Sequence, residues 1–244
     1  MVATIANAQQ RQEQVAPYGG MAALQHLFEQ ELHFPEEALA AKVKGETVIA
    51  VGVRADGTVT GMQVLRPLHP SCDAEALRLI ALVRWKPSTA VEERGGAEHY
   101  LAVPFDPVKY KRWQKNRPER ASPIFDLPAR PGLEILTPRQ LDSQVMPLVQ
   151  GGMNGLGRHL ASNMRYPEEA YRRSLEGDVK LEFTVEVSGA VSNMHALEEV
   201  GGGCVAEAMR LVHRTPWLPG TKDGERVRST TQVTISFKLP QQAR

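Results

Sequence analysis

Cysteine, aromatic rings, net charge and long apolar runs are all scarce in this 244-residue chain. Two cysteines, Cys72 and Cys204, cannot staple a disulfide-rich scaffold. Aromatics make up 6% of the residues, too few for stacking on bases or sugars to be a theme. Basic and acidic side chains number 29 and 28, so the net charge is +1 and a globally basic nucleic-acid binder is excluded. The longest apolar stretches, such as Val48–Val53, fall far short of the ~20 residues that span a bilayer, and no transmembrane segment is expected. Catalytic signatures are missing too. There is no His-Glu-x-x-His and no Gly-x-Ser-x-Gly elbow, and the seven histidines lack metal-ligand spacing apart from the loose pair His26 and His33. What remains is an ordinary globular composition, 42% apolar and 23% charged.

The chain repeats itself. Gly19-Gly20-Met21 recurs as Gly151-Gly152-Met153, and Pro35-Glu36-Glu37-Ala38 as Pro167-Glu168-Glu169-Ala170. Cys72 to Leu79 recurs as Cys204 to Leu211, and Trp85-Lys86-Pro87 as Trp217-Leu218-Pro219. Every pair is offset by 132, and residues 19–87 and 151–219 share 22 identities in 69 positions without a gap. Chance would give about four, so two small domains of one kind are expected.

Each repeat reads as helix, helix, strand, strand, helix, strand: an α+β fold with a three-stranded antiparallel sheet. Met21–Leu32 and Met153–Met164 carry apolar residues at helical spacing, and Pro35 and Pro167 suit the first turn of a short second helix. In the second repeat Val179, Leu181, Phe183, Val185 and Val187 alternate with polar residues, as a half-buried strand does. Asp56-Gly57 and Ser188-Gly189 signal hairpin turns. Parity then breaks in both second strands: Val59 is followed by Met62, and Val191 by Met194, three residues on rather than two. A β-bulge near Thr60-Gly61 and Ser192-Asn193 would return those residues to the buried face. A helix follows from about Cys72 or Cys204. In the last strand of the second repeat Val227, Ser229, Thr231, Val233, Ile235, Phe237 and Leu239 share one face, while Arg226, Arg228, Thr230, Gln232 and Thr234 point out to water. Trp85 and Trp217 are expected to be buried in their respective cores.

Residues 1–16 read as a disordered tail or as the stub of a signal peptide, since Ala6-Asn7-Ala8 has the small-x-small form of a cleavage site. Domain 1 is placed at 17–107, a Pro-rich basic linker at 108–146, and domain 2 at 147–240. Between Lys109 and Arg120 the linker carries six basic residues and one acid, a pattern of a solvated segment or of contact with an anionic surface.

Several motifs of the second repeat occur together: Tyr166-Pro167-Glu-Glu-Ala, Gly201-Gly-Gly-Cys-x-x-Glu-Ala, Pro216-Trp-x-Pro-Gly, Asp223-Gly-x-x-Val227 and Ser236-Phe-Lys-Leu. This resembles the C-terminal domain of the TonB family of energy transducers, in its Bacteroidetes-like form, over about Val149–Leu239. The first repeat is similar over about Pro17–Asp106 but departs at Val91–Glu98 and lacks the Gly after its Trp-x-Pro.

The resemblance implies a periplasmic protein that binds outer-membrane TonB-dependent transporters. The transporter's box peptide would add as a strand beside the last strand, here Arg226, Val227, Arg228, Ser229, Thr230, Thr231, Gln232, Val233, Thr234 and Ile235, with Tyr166 and Pro167 as a further partner-binding motif. Repeat two is expected to be the binder and repeat one a spacer or docking module. Lacking an anchor of its own, the chain would reach inner-membrane motor proteins only through another chain. It reads either as a fragment of a transducer or as a tandem binding protein. The alternative is an envelope interaction module or self-associating scaffold with no transport role, and a homodimer through the sheet edges fits either reading. No catalytic residue, metal site or cofactor is assigned. Gly152 to His159 only loosely resembles a phosphate loop, with Arg158 where Lys belongs. Each cysteine opens the third helix of its repeat, where a helix N-terminus would favour a reactive thiolate and burial an inert thiol. A Cys72–Cys204 link is a third option.

Overall fold

A computed structural model describes residues 15–87, 97–115 and 122–239. The chain divides into two compact units, Met1–Arg117 and Pro118–Arg244.

In the first unit α1 (Gly20–Glu31) and α2 (Glu36–Ala40) precede β1 (Gly45–Val53) and β2 (Val59–Arg66); α3 (Pro70–Ala81), β3 (Ala97–Phe105) and α4 (Pro107–Lys115) follow. The second unit opens with two short 3₁₀ turns, Pro123–Asp126 and Pro138–Gln140, and β4 (Met146–Pro147). It then repeats the series as α5 (Gly152–Asn163), α6 (Glu168–Arg172), β5 (Gly177–Val185), β6 (Val191–Glu198) and α7 (Cys204–Arg214). The last elements are β7 (Trp217–Leu218), the small hairpin β8 (Gly220–Lys222) and β9 (Glu225–Val227), and β10 (Ser229–Phe237).

Both units carry the expected three-stranded antiparallel sheet, in the orders β2-β1-β3 and β10-β5-β6. The registers coincide at the 132-residue offset: Phe105 pairs with Gly45 as Phe237 pairs with Gly177. Helices close one face of each sheet because their apolar residues recur every three to four positions. Leu24, Leu27 and Phe28 of α1 are buried, as are Cys204, Ala208, Leu211 and Val212 of α7. Trp85 and Trp217 lie in the two cores at 3% and 1% exposure. Each also meets a hairpin glycine: a Cβ on Gly57 would lie 2.4 Å from the Trp85 carbonyl oxygen, and one on Gly189 2.5 Å from that of Trp217. Both glycines have positive φ, so turn geometry and close packing select the same residue.

The bulges are present. Gly52 pairs with Gly61 and Val53 with Val59, leaving Thr60 unopposed. Glu182 pairs with His195 and Thr184 with Ser192, and Asn193 takes φ 53°. The bulge buries Val191 and Met194 as the parity argument requires, but Val59 and Met62 stay exposed in the first unit. Further along that face Val64 packs against the first core, so restored parity there yields a partly covered apolar surface.

The stretch read as a linker carries structure of its own. α4 belongs to the first unit, where Tyr110 packs on Phe34 and Trp113 on Tyr110. Residues 122–147 belong to the second. Of the N-terminal 16 residues, Val15 is buried in the first core and Ala16 accepts the Lys86 amide; the rest lie outside the described residues. Most of Val91–Glu98, where the repeats diverge, also lies outside them.

Candidate functional site

β10 is the edge strand of its three-stranded sheet, where it pairs with β5. Its side chains alternate as the sequence predicts: Ser229, Thr231, Val233, Ile235 and Phe237 are buried, while Gln232, Thr234 and Ser236 are exposed. On the exposed face Gln232 bonds Glu182 of β5 at 2.9 Å and Ser236 bonds Asp178 at 2.6 Å. The Thr230 amide points away from β5, since it donates to the carbonyl of Leu136 at 2.9 Å. Backbone direction alternates along a strand, so the amides of Gln232, Thr234 and Ser236 also face the outer edge. Those of Thr231, Val233 and Ile235 face β5.

The beginning of the expected binding strand differs from its reading. Arg226 and Val227 belong to β9, which hairpins with β8 through Asp223-Gly224, both at positive φ. Arg226 is held rather than extended to water: Nε donates to Leu127 O at 2.9 Å and Nη1 to Val187 O at 2.7 Å. Arg228 was expected on the solvent face and is instead 5% exposed. Its Nε donates to Glu186 Oε2 at 2.6 Å, its Nη2 to Oε1 at 3.0 Å and its Nη1 to Leu133 O at 2.7 Å. Glu186, 1% exposed, also accepts the Ser192 hydroxyl. Alternation fails at Arg228 because the β9–β10 corner lies under residues 128–137, which cover it. The sequence reading missed that cover; its only trace is a run of prolines with Arg130 among them.

Residues 128–137 run parallel to residues 226–230. Arg226 N donates to Pro128 O at 2.8 Å, Arg130 N to Arg226 O at 2.9 Å and Leu136 N to Arg228 O at 2.9 Å. Side chains pin the segment further: Arg130 reaches Glu225 at 2.7 Å and Asp223 at 3.1 Å. Beyond it Asp142 bonds Lys222 and the Asp223 amide, and these hold its carboxyl below the usual carboxylate range, Lys222 foremost. Tyr166 is brought to the far end of β10, where it packs edge-on against Phe237 and its hydroxyl donates to Leu175 O. Pro167 stands at the N-cap of α6.

β3 of the first unit presents the same edge with different chemistry. Pro104 occupies the register position of Ser236 and has no amide to offer. Among the described residues no segment lies along that edge.

Both cysteines are free and buried, which favours the inert reading over a reactive one. Burial first, then the neighbouring carboxylates of Asp73, Glu37 and Glu75, push the Cys72 thiol up to about 11. Burial pushes Cys204 up as well. Among the described residues no group of three His, Cys, Asp or Glu side chains could hold a metal ion, and no helix is long and apolar enough to cross a membrane.

The family profile described as Gram-negative bacterial TonB protein C-terminal matches residues 30–106 and again 162–239. No curated protein matches the chain. Similar solved structures include two TonB C-terminal domains. The TonB C-terminal domain of Helicobacter pylori is 17% identical over 34% of this chain and 89% of its own, with a TM-score of 0.26. That of Pseudomonas aeruginosa is 24% identical over 42% of this chain and 93% of its own, with a TM-score of 0.30.

Proposed function

Since the chain belongs to the TonB C-terminal family, with one copy of the domain in each unit, we propose that it is a periplasmic binding protein for outer-membrane TonB-dependent transporters. In TonB proteins this domain interacts with such transporters and works in the periplasm; it is a protein-interaction and energy-transduction module, not an enzyme. In this chain the second unit is the binder and the first a spacer or docking module.

The open edge of β10 carries the reading. An extended peptide that adds beside it draws affinity from main-chain hydrogen bonds, which tolerate varied sequence. Gln232, Thr234 and Ser236 offer polar side chains and outward amides there, and the buried residues Val233 and Ile235 anchor the strand in the core. The first unit's counterpart edge lacks a donor at Pro104, which favours the second unit.

Pro104 also shows how to test the proposal. Ser236→Pro copies into β10 a proline that the matching position of β3 already accommodates, and it deletes one outward amide. Titrating a synthetic peptide from a transporter N-terminus, we expect affinity to fall by about 1–3 kcal/mol, roughly 5- to 150-fold, against a few-fold for Ser236→Ala. Normal binding by folded Ser236→Pro would place the partner on another surface.

A further inference from the structure

The start of the β10 edge is already taken by the chain itself. Residues 128–137 make two parallel bridges, Ala129 with Arg226 of β9 and Leu136 with Ser229 at the start of β10. The second bridge uses the Thr230 amide, the first outward donor of β10. This strap is firmly held. Leu136 is 6% exposed, Arg130 pairs with two carboxylates, and Arg226 and Arg228 each donate to a strap or pre-strap carbonyl while also bonding the sheet side. Lifting it would strip the buried Arg228 of one acceptor and uncover its pair with Glu186, a costly exchange for a strand that replaces only main-chain bonds.

We infer that residues 128–137 are a strap built into the second unit, one that frames the docking edge. A partner strand seats on Gln232–Ser236 alone, and the element recognised is an extended segment of about five residues bonded through the amides of Gln232, Thr234 and Ser236. The strap sets where the opening begins: its last bonded residue, Leu136, takes the Thr230 amide and leaves the next outward amide, that of Gln232, as the first one open. Pro138 then opens a 3₁₀ turn and ends the strap's pairing. This inference rests on the strand-addition reading above and adds to it where the partner begins and how long it is.

The test is amide hydrogen exchange on the full chain, free and with synthetic transporter N-terminal peptides of five and nine residues. In the free chain the Leu136 and Thr230 amides should exchange about tenfold or more slower than those of Gln232, Thr234 and Ser236. Either peptide should slow the latter three and leave Leu136 unchanged, and the two should bind within about threefold of each other. Arg130→Ala, or Leu136→Pro as a second variant, loosens the strap, and then the nine-residue peptide should gain about fivefold or more over the short one. Thr230 exchanging as fast as Gln232 in the free chain would overturn the strap. Faster Leu136 exchange on binding, or a clear advantage of the longer peptide on the unaltered chain, would overturn the frame. If the strap amides are slow but neither peptide slows Gln232, Thr234 or Ser236, the strand-addition reading fails and takes the docking frame with it, while the strap's own seat on the edge is upheld.

Discussion

Arg210 grips both carboxylate oxygens of Glu207, through Nε at 2.7 Å and Nη2 at 2.6 Å. Glu207 in turn accepts the Arg165 amide at 2.6 Å, and Arg210 Nη2 donates to Asn163 O at 2.8 Å. The pair thus ties the end of α5 to α7. At an offset of 132 residues Arg78 and Glu75 do the same with the His33 amide and Glu31 O.

We expect Glu207→Ala to cost the second unit about 1–3 kcal/mol, because the Arg165 amide and Arg210 both lose their acceptor. Glu207→Gln, which keeps one acceptor oxygen, should cost less. Burial pushes the Glu207 carboxyl up, but hydrogen bonds from Arg210 and the Arg165 amide outweigh it and hold the carboxyl below its ordinary 4.5. The bond therefore contributes fully above that value and is lost as pH falls through the lower folded value. Urea unfolding at pH 7 and below pH 4 would show the variant's penalty shrinking in acid.

Arg228→Ala should be more damaging, about 3–5 kcal/mol, since it leaves Glu186 buried without its cation. The double substitution Arg228→Met with Glu186→Leu should recover most of that loss. A double-mutant cycle by urea unfolding, with Arg228→Met and Glu186→Leu as the single variants, checks this; a double variant costing the sum of the two singles would mean that the pair is not coupled.

Trp217 fills the second core edge-on against Phe183 and donates its Nε1 to Val212 O at 3.0 Å. Trp217→Ala should cost about 3–5 kcal/mol. That is most of the ~5–9 kcal/mol available to a domain of this size. Calorimetry should show the second unit largely unfolded and the first still melting.

His99 separates the two units by pH. It stacks on Trp85 at 4.5 Å, and burial lowers its pKa from 6.5. The unfolded chain binds that proton first, so stability should decline as pH falls from about 6.5 toward the lower folded value. The matching residue of the second unit, Thr231, does not titrate. His26, also lowered by burial, adds to the same trend in the first unit. Thermal melts from pH 7 to pH 5 should lower the first unit's midpoint more than the second's, and His99→Thr should remove part of the difference.

Cys72, fully buried with its thiol pushed up to about 11, should resist iodoacetamide at pH 8 in the folded chain and react once urea unfolds it. Rapid labelling of native protein, read by mass spectrometry, would contradict this.

The duplication, the six main elements of each repeat, the core tryptophans and both bulges were legible in the sequence. Each depends on patterns that span only a few residues: a period of two in strands such as Val179 to Val185, three to four in helices, and a parity slip at Met62 and Met194. The offset of 132 repeated every signal once more. What occupies the β10 edge was not legible. Leu136 and Arg228 meet across more than ninety residues, through backbone groups that every residue type carries, in a segment whose prolines read as linker. Position 228 looked exposed because alternation knows only the strand's own two faces. Tertiary structure laid a further segment against that corner, and a buried carboxylate, Glu186, was there to hold its arginine.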